Sequence, residues 1–223
     1  APMHLYAADV YEGAAVHVTA FLGFVPKAAG AVAFMLLLST IGWGDGAILP
    51  APIAILLWVM AVLTMTLGNI AALLQKSLKR MLAYSSIAHS GYLLIGILAG
   101  PGLGYSAVVL YLLIYGLGNT ASFAVLSSLE RSGREIESVD DLAGLRHRHP
   151  LMAASMAISA GSLLGFPPLL GFWGKLALFI AGVVTGQIVL VLIAALNSAI
   201  SAWYYLRLVG LPLMGDRNER SDA

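Results

Sequence analysis

Cysteine is absent from the 223 residues, which excludes a disulfide framework and thiolate-held iron–sulfur clusters within this stretch of chain. Charge is scarce as well. Asp, Glu, Lys and Arg together make up 10% of the residues, against about 25% in an ordinary soluble domain, and no stretch is polar enough to stand as a separate soluble domain. The net charge of +1 carries no signal for nucleic acid. No charged n-region precedes an apolar core and cleavage site, so no signal peptide is visible, and no Met opens the chain. Ala1-Pro2 reads as the tail of an interrupted segment, so an upstream part is expected.

What is present is apolar: 60% of the residues are hydrophobic. Apolar segments of about 20 residues, enough to cross about 30 Å of hydrocarbon, recur along almost the whole length. The expectation is an all-α membrane protein, a polytopic transmembrane helix bundle over 14–212 with about six spans: 14–39, 52–74, 80–100, 103–128, 150–182 and 187–212. Residues 1–13 read as a cytoplasmic inter-helix loop and 213–223 as a polar cytoplasmic tail. Segment 150–182 exceeds one crossing and contains Gly165-Phe-Pro-Pro-Leu-Leu-Gly171, whose prolines remove two backbone donors, so a helix broken near 165–171 is expected. Pro26 leaves the first segment open between one rod and a half-helix followed by a span.

The cations test this topology. Lys76, Lys79 and Arg80 fall between spans two and three, Arg131, Arg134, Arg146 and Arg148 between four and five, and Arg207, Arg217 and Arg220 at the end of six. These regions lie on one side if all six segments cross. The alternate loops, around Asp45, Pro101 and Gly186, carry no Lys or Arg, so the basic side is expected to be cytoplasmic.

Two lysines break the pattern. Lys27 and Lys175 lie inside apolar runs, where a charged side chain costs roughly 2.5 to 3.5 kcal/mol even on lenient insertion scales. All eleven Asp and Glu residues lie outside the expected spans, so neither lysine has a carboxylate at membrane depth in this sequence. Burial disfavours the charged form of an amine, which makes a proton that comes and goes chemically accessible. Lys175 follows the Pro-Pro pair by seven residues, in the first turns of a half-helix, and broken helices are a common way to build ion sites. The bland alternative is a lysine snorkelling to the interface.

His89 shares a helical face with Ser85, Tyr92 and Gly96, and a histidine passes protons readily near neutral pH. Ser86 lies beside them in Tyr84-Ser-Ser-Ile-Ala-His-Ser-Gly-Tyr92. Two further spans carry polar stripes: Tyr111, Tyr115, Asn119 and Ser122, and Asn197, Ser201 and Tyr204. Such stripes either order water between titratable groups or simply fasten helices together. His17 reads as interfacial, and His147 and His149 have no metal-ligand company. Leu22-Gly-Phe-Val-Pro-Lys27 echoes Leu170-Gly-Phe-Trp-Gly-Lys175, a hint of duplication.

The runs Ala8-Asp-Val-Tyr-Glu-Gly-Ala14, Lys79-Arg-Met-Leu-Ala-Tyr-Ser-Ser-Ile-Ala-His-Ser-Gly-Tyr92 and Gly165-Phe-Pro-Pro-Leu-Leu-Gly-Phe-Trp-Gly-Lys175 resemble the subunit N family. These are the antiporter-like membrane subunits of proton-pumping NADH:quinone oxidoreductase, respiratory complex I. Hydrogenase and multisubunit sodium/proton antiporter subunits share the middle run. The resemblance implies a fourteen-helix protein, with this chain as roughly its latter half, from the end of helix seven through helix thirteen. It places Lys27 on helix eight, His89 on helix ten and Lys175 on the broken helix twelve, along a hydrated mid-membrane axis. It also implies a glutamate on helix five and a lysine on helix seven, neither of which is in this chain. Family symmetry pairs helix twelve with helix seven, which runs against the echo at Lys27.

On this resemblance the chain is a multi-pass protein of the cell inner membrane with no cofactor of its own. NADH, flavin, iron–sulfur clusters and quinone belong to partner subunits, and the partners are other membrane and peripheral subunits, lipid, protons and water. Lys27 is then a relay lysine, His89 an intermediate carrier and Lys175 the terminal lysine on the outer side. A cation/proton antiporter subunit driven by an ion gradient would use the same residues. An inert scaffold would use the polar groups only to fasten helices.

Overall fold

The computed structural model describes residues 6–43, 49–131 and 136–215, and among these all regular structure is helical. In chain order the helices are α1 (Ala7–Gly13), α2 (Val16–Ile41), α3 (Ala51–Leu73), α4 (Leu78–Ala99), α5 (Leu103–Arg131), α6 (Leu145–Arg148), α7 (Pro150–Leu164), α8 (Leu170–Val184) and α9 (Ile188–Met214), with a short 3-10 turn at Val139–Leu142 before α6. Helices α2, α3, α4, α5 and α9 are long and apolar enough to cross a membrane. Helices α7 and α8 have 15 residues each, about 22 Å at 1.5 Å per residue, so neither spans alone.

Local chemistry sets the ends. The Ser77 hydroxyl caps α4 by accepting the Arg80 N–H at 3.5 Å, and α4 stops at Gly100, whose φ is +84°. Pro150 opens α7, where its missing N–H costs nothing. The Phe166-Pro-Pro segment then separates α7 from α8, with Gly165 left-handed at φ +87°. One expectation meets a different outcome, and one open alternative resolves. Residues 7–13, read as loop, form α1, which packs on α4. Pro26 does not split its segment: α2 runs unbroken through it, because a span in lipid has only its own backbone to bond with and gives up just the one donor that proline lacks.

Helix α4 is the hub. Of an 18-residue stretch of α4, 83% is buried, against 17% for α2 and 33% for α3. Small residues let α3 approach it closely: a Cβ added at Gly68 would lie 2.7 Å from the Ala88 nitrogen, and one at Gly91 2.7 Å from that of Met65.

Ion pairs gather at one end of the bundle. Lys79 pairs with Glu130 at 2.9 Å, Arg80 with Asp9 at 3.3 Å and Glu12 at 3.0 Å, and Arg207 with Asp140 at 2.8 Å. The Leu78 N–H donates to the Glu137 carbonyl at 2.8 Å, tying the 136–142 segment to the start of α4. The cationic ends of α4, α5 and α9 therefore share a face. The loop at Asp45, residues 1–5, Arg134 and residues 216–223 of the expected tail, with Arg217 and Arg220, lie outside the described residues.

Candidate functional site

Lys27 sits near the middle of the 26-residue α2, half-buried against α4 and α5. Its ammonium donates to the Ser86 carbonyl and the Ser86 hydroxyl, and to the Tyr115 hydroxyl at 3.4 Å. It also lies 5.1 Å from the centre of the Tyr115 ring, within cation–π range. A cavity of about 520 Å³ opens beside it, bounded by α1, α2 and α4 and lined by Tyr11, Pro26, Lys27 and Ser90 among apolar neighbours.

Lys175, on α8, is 5% exposed. The break explains why it is there. In a continuous helix the Leu164 carbonyl would accept the N–H of residue 168, and Pro168 has none. The Lys175 ammonium takes that place, donating to the Leu164 carbonyl at 2.6 Å and to the Ser198 hydroxyl of α9 at 3.0 Å. Its second face lies 5.2 Å from the centre of the Tyr92 ring. Two glycines make the fit possible. A Cβ at Gly165 would lie 2.9 Å from the Lys175 Cδ, and one at Gly171 would lie 1.5 Å from the Ser162 carbonyl oxygen, where α8 crosses the end of α7.

His89, 3% exposed, lies between the lysines on α4. Its Nδ1 is hydrogen-bonded to the Tyr111 hydroxyl and its Nε2 to that of Tyr205 at 2.8 Å. A neutral imidazole has one donor and one acceptor nitrogen, and a phenol can serve either, so both tautomers are satisfied by turning the two hydroxyls. The Tyr115 ring lies tilted by 41° against the imidazole, with centroids 4.9 Å apart. A void of about 10 Å³, lined by His89, Tyr111, Tyr115, Ser162, Gly171 and Lys175, joins the histidine to the second lysine, and it has about the room one water needs. Lys27, Ser86, Tyr115, His89, Tyr111 and Lys175 thus lie in sequence across α2, α4, α5 and α8, half-buried at Lys27 and buried from Ser86 to Lys175, with a ring contact between Tyr115 and His89.

Other residues singled out from the sequence sit elsewhere. Tyr92, Asn197 and Tyr204 meet at Asn69 on α3, whose amide nitrogen donates to the Tyr92 hydroxyl at 3.3 Å and to Asn197 Oδ1 at 3.2 Å and whose Oδ1 accepts from Tyr204 at 2.8 Å. Ser85 and Ser201 bond back to their own helices, at the Leu82 and Ser198 carbonyls. Ser122 pairs with Ser159 across α5 and α7 at 2.9 Å. Asn119 accepts from Tyr115 at 3.5 Å, and its amide nitrogen is buried without a partner. His17 is exposed, and no group of three or more metal-ligating side chains occurs among the described residues. Neither Lys27 nor Lys175 forms an ion pair with a carboxylate among them.

Sequence reasoning passed over Ser198, Tyr205 and Asn69. Asn69 carried a signal, the one amide in a second span whose other hydroxyl or amide side chains are only Thr64 and Thr66. Ser198 and Tyr205 lie one position from the stripe that was read, and only packing decides which face of α9 turns to the axis.

The family model described as NADH:quinone oxidoreductase/Mrp antiporter, TM, matches residues 1–201. The chain belongs to this family. Within it, the chain is 47% identical over 215 residues to NADH-quinone oxidoreductase subunit N of Trichlorobacter lovleyi, covering 94% of this chain and 42% of that protein. Among solved structures, a chain of respiratory complex I from Thermus thermophilus superposes with a TM-score of 0.82 at 34% identity, over 98% of this chain and 47% of that one. A chain of the Mrp complex from Dietzia sp. gives 0.83 at 28% identity, over 97% and 40%. The chain therefore spans less than half the length of the curated relatives it matches.

Proposed function

We propose that this chain is the latter part of a proton-translocating membrane subunit of NADH:quinone oxidoreductase, moving protons along the lysine–histidine line while electron transfer to quinone proceeds in partner subunits. The observation that carries the reading is the line itself: Lys27 bonded to the Tyr115 hydroxyl, the Tyr115 ring against the His89 imidazole, and His89 and Tyr111 sharing with Lys175 a space for about one water. In the relay a neutral lysine amine accepts a proton and later returns it. Between the Tyr115 hydroxyl, which bonds to Lys27, and the imidazole a water carries the proton, giving one hydrogen to His89 as it takes one from the tyrosine. His89 accepts at one ring nitrogen and releases at the other, with the Tyr111 and Tyr205 hydroxyls turning to match. Protonation at one amine raises the cost of protonation at the next, since charges interact strongly where water is sparse. These residues include no cysteine to hold an iron–sulfur cluster, and in this reading NADH, flavin, clusters and quinone are handled by the partner subunits. By the positive-inside rule the end bearing Lys79, Arg80 and Arg207 faces the cytoplasm across the inner membrane.

The second reading, a cation/proton antiporter subunit, is supported by the fold match to the Mrp complex. The fold matches do not separate the two, and the higher identities, 47% and 34%, favour the oxidoreductase. The test is Lys175→Ala in the complete complex, with proton translocation followed in sealed vesicles. Pumping should fall by about a hundredfold, as for removal of an acid–base group. Unchanged pumping removes the role.

A further inference from the structure

Helix α3 supplies nothing to the line, yet one of its side chains gathers three residues that flank it. Asn69 is wholly buried, and Gly68 and Gly91 bring the α3 and α4 backbones close enough to set it beside Tyr92. Its amide nitrogen donates to the Tyr92 hydroxyl at 3.3 Å and to the side-chain and main-chain oxygens of Asn197 at 3.2 Å, and its Oδ1 accepts from the Tyr204 hydroxyl at 2.8 Å. An amide offers both donors and an acceptor from one short side chain, and in a dry interior no solvent stands in for a lost partner. Each of the three partners leads to the line. The Tyr92 ring faces the Lys175 ammonium at 5.2 Å. Asn197 precedes Ser198, which accepts from Lys175 at 3.0 Å, and Tyr204 precedes Tyr205, which bonds to His89 Nε2 at 2.8 Å.

The pairing of neighbours follows from helix geometry. Asn197 and Tyr204 are seven residues apart, about two turns, so they share one face of α9, and Ser198 and Tyr205 share the adjoining face, turned by about 100°. Tying the first face to α3 therefore aims the second at α4 and α8. Thr66 of α3 adds to the tie by accepting from the Asn197 amide nitrogen at 3.2 Å. We infer that Asn69 is the residue that positions the Lys175 end of the line, seating the Tyr92 ring against the lysine and setting the rotation of α9 that brings Ser198 to Lys175 and Tyr205 to His89. This rests on the proton-translocation reading above. Asn69 exchanges no proton itself and acts only through the residues it holds.

A packing role alone would be kept by Asn69→Leu, which has a similar shape and removes the donors and the acceptor together. In the complete oxidoreductase in sealed vesicles, with NADH as donor and pumping normalised to assembled complex, N69L should pump about tenfold more slowly, as for the loss of one modest hydrogen bond at Lys175. Asn69→Gln carries the same donors and acceptor one methylene further out and should regain part of the rate. Because the amide acts through Ser198, Ser198→Ala should add less than about twofold in the N69L background, whereas independent losses would multiply to about a hundredfold. Wild-type pumping by N69L, with Lys175→Ala stalled, overturns the role of Asn69 and leaves the relay standing. A multiplied loss in the double variant, or N69Q no faster than N69L, overturns it too. Wild-type pumping by both N69L and Lys175→Ala overturns the relay itself. If N69L does not assemble, Tyr204→Phe decides, since it keeps the ring and removes one hydroxyl from the amide: slow pumping supports the assignment and wild-type pumping overturns it.

Discussion

Lys27 and Lys175 are the same residue type in comparably apolar runs, and each is held by a main-chain carbonyl, a serine hydroxyl and a tyrosine ring, yet their surroundings differ. Lys27 stands on an unbroken helix, half-buried beside a cavity of about 520 Å³, with both its carbonyl and its hydroxyl from Ser86. Lys175 stands at a break, 5% exposed, its carbonyl the one that the break frees at Leu164, with about 10 Å³ of free space towards His89. The first site is built to exchange and the second to hold. An ammonium beside an open cavity can be satisfied by whatever enters it, whereas one in a closed site depends on the partners the fold supplies. The Pro-Pro pair is what supplies them, because it frees a carbonyl where a continuous helix would have used it.

The severest way to break this contrast is Gly171→Ala. The new Cβ would lie 1.5 Å from the Ser162 carbonyl oxygen, a backbone atom that cannot turn aside, so α8 must move off α7 and carry Lys175 from Leu164 and Ser198. Overpacking of this kind costs up to about 3 kcal/mol. Thermal stability of the complex should fall and pumping should fail. A Gly30→Ala change on α2, where no atom lies within 4 Å of the added Cβ, should leave stability unchanged or slightly raised. Equal losses at the two positions would show that the closed site is not the more tightly built.

How much of this was readable in the sequence follows the same divide. The spans were readable, because twenty apolar residues have few alternatives in a bilayer, and so was the break, because two adjacent prolines remove two donors. Both lysines and His89 were readable as costly groups needing an explanation. Helix α1 was not: seven mixed residues give too short a period, and its order comes from Arg80, 68 residues beyond Glu12 in the chain. Pro26 left two outcomes open, and α2 stays whole because a single proline costs one bond and the rest of the helix keeps its ladder. The choice of Ser198 over Ser201, and of Tyr205 over Tyr204, depends on how α9 is rotated against α4 and α8, which hydropathy does not encode.

A gentler change acts on the carbonyl. Pro168→Ala restores an N–H at the position that a continuous helix would aim at Leu164, so the backbone then competes with the Lys175 ammonium for the same oxygen. Losing a hydrogen bond to a charged group costs about 2 kcal/mol, and pumping should slow by roughly thirtyfold at RT ln 10 of 1.4 kcal/mol, with the Lys27 end untouched. Pumping at the wild-type rate would mean that the lysine does not need the freed carbonyl.

The smallest effect separates two hydroxyls one turn apart on α9. Ser198 donates nothing that its helix requires and accepts from Lys175 at 3.0 Å, whereas Ser201 turns its hydroxyl back to the Ser198 carbonyl at 2.7 Å. A back-bonded serine contributes little to its helix, so Ser201→Ala should change pumping by less than about twofold, within the usual range for a change away from any special feature. Ser198→Ala leaves Lys175 with one carbonyl and a void that admits about one water. It should slow pumping by about tenfold, the equivalent of a single modest hydrogen bond. Comparable rates in the two variants would mean that Lys175 finds a replacement partner readily, and the closed site would then work like the open one at Lys27.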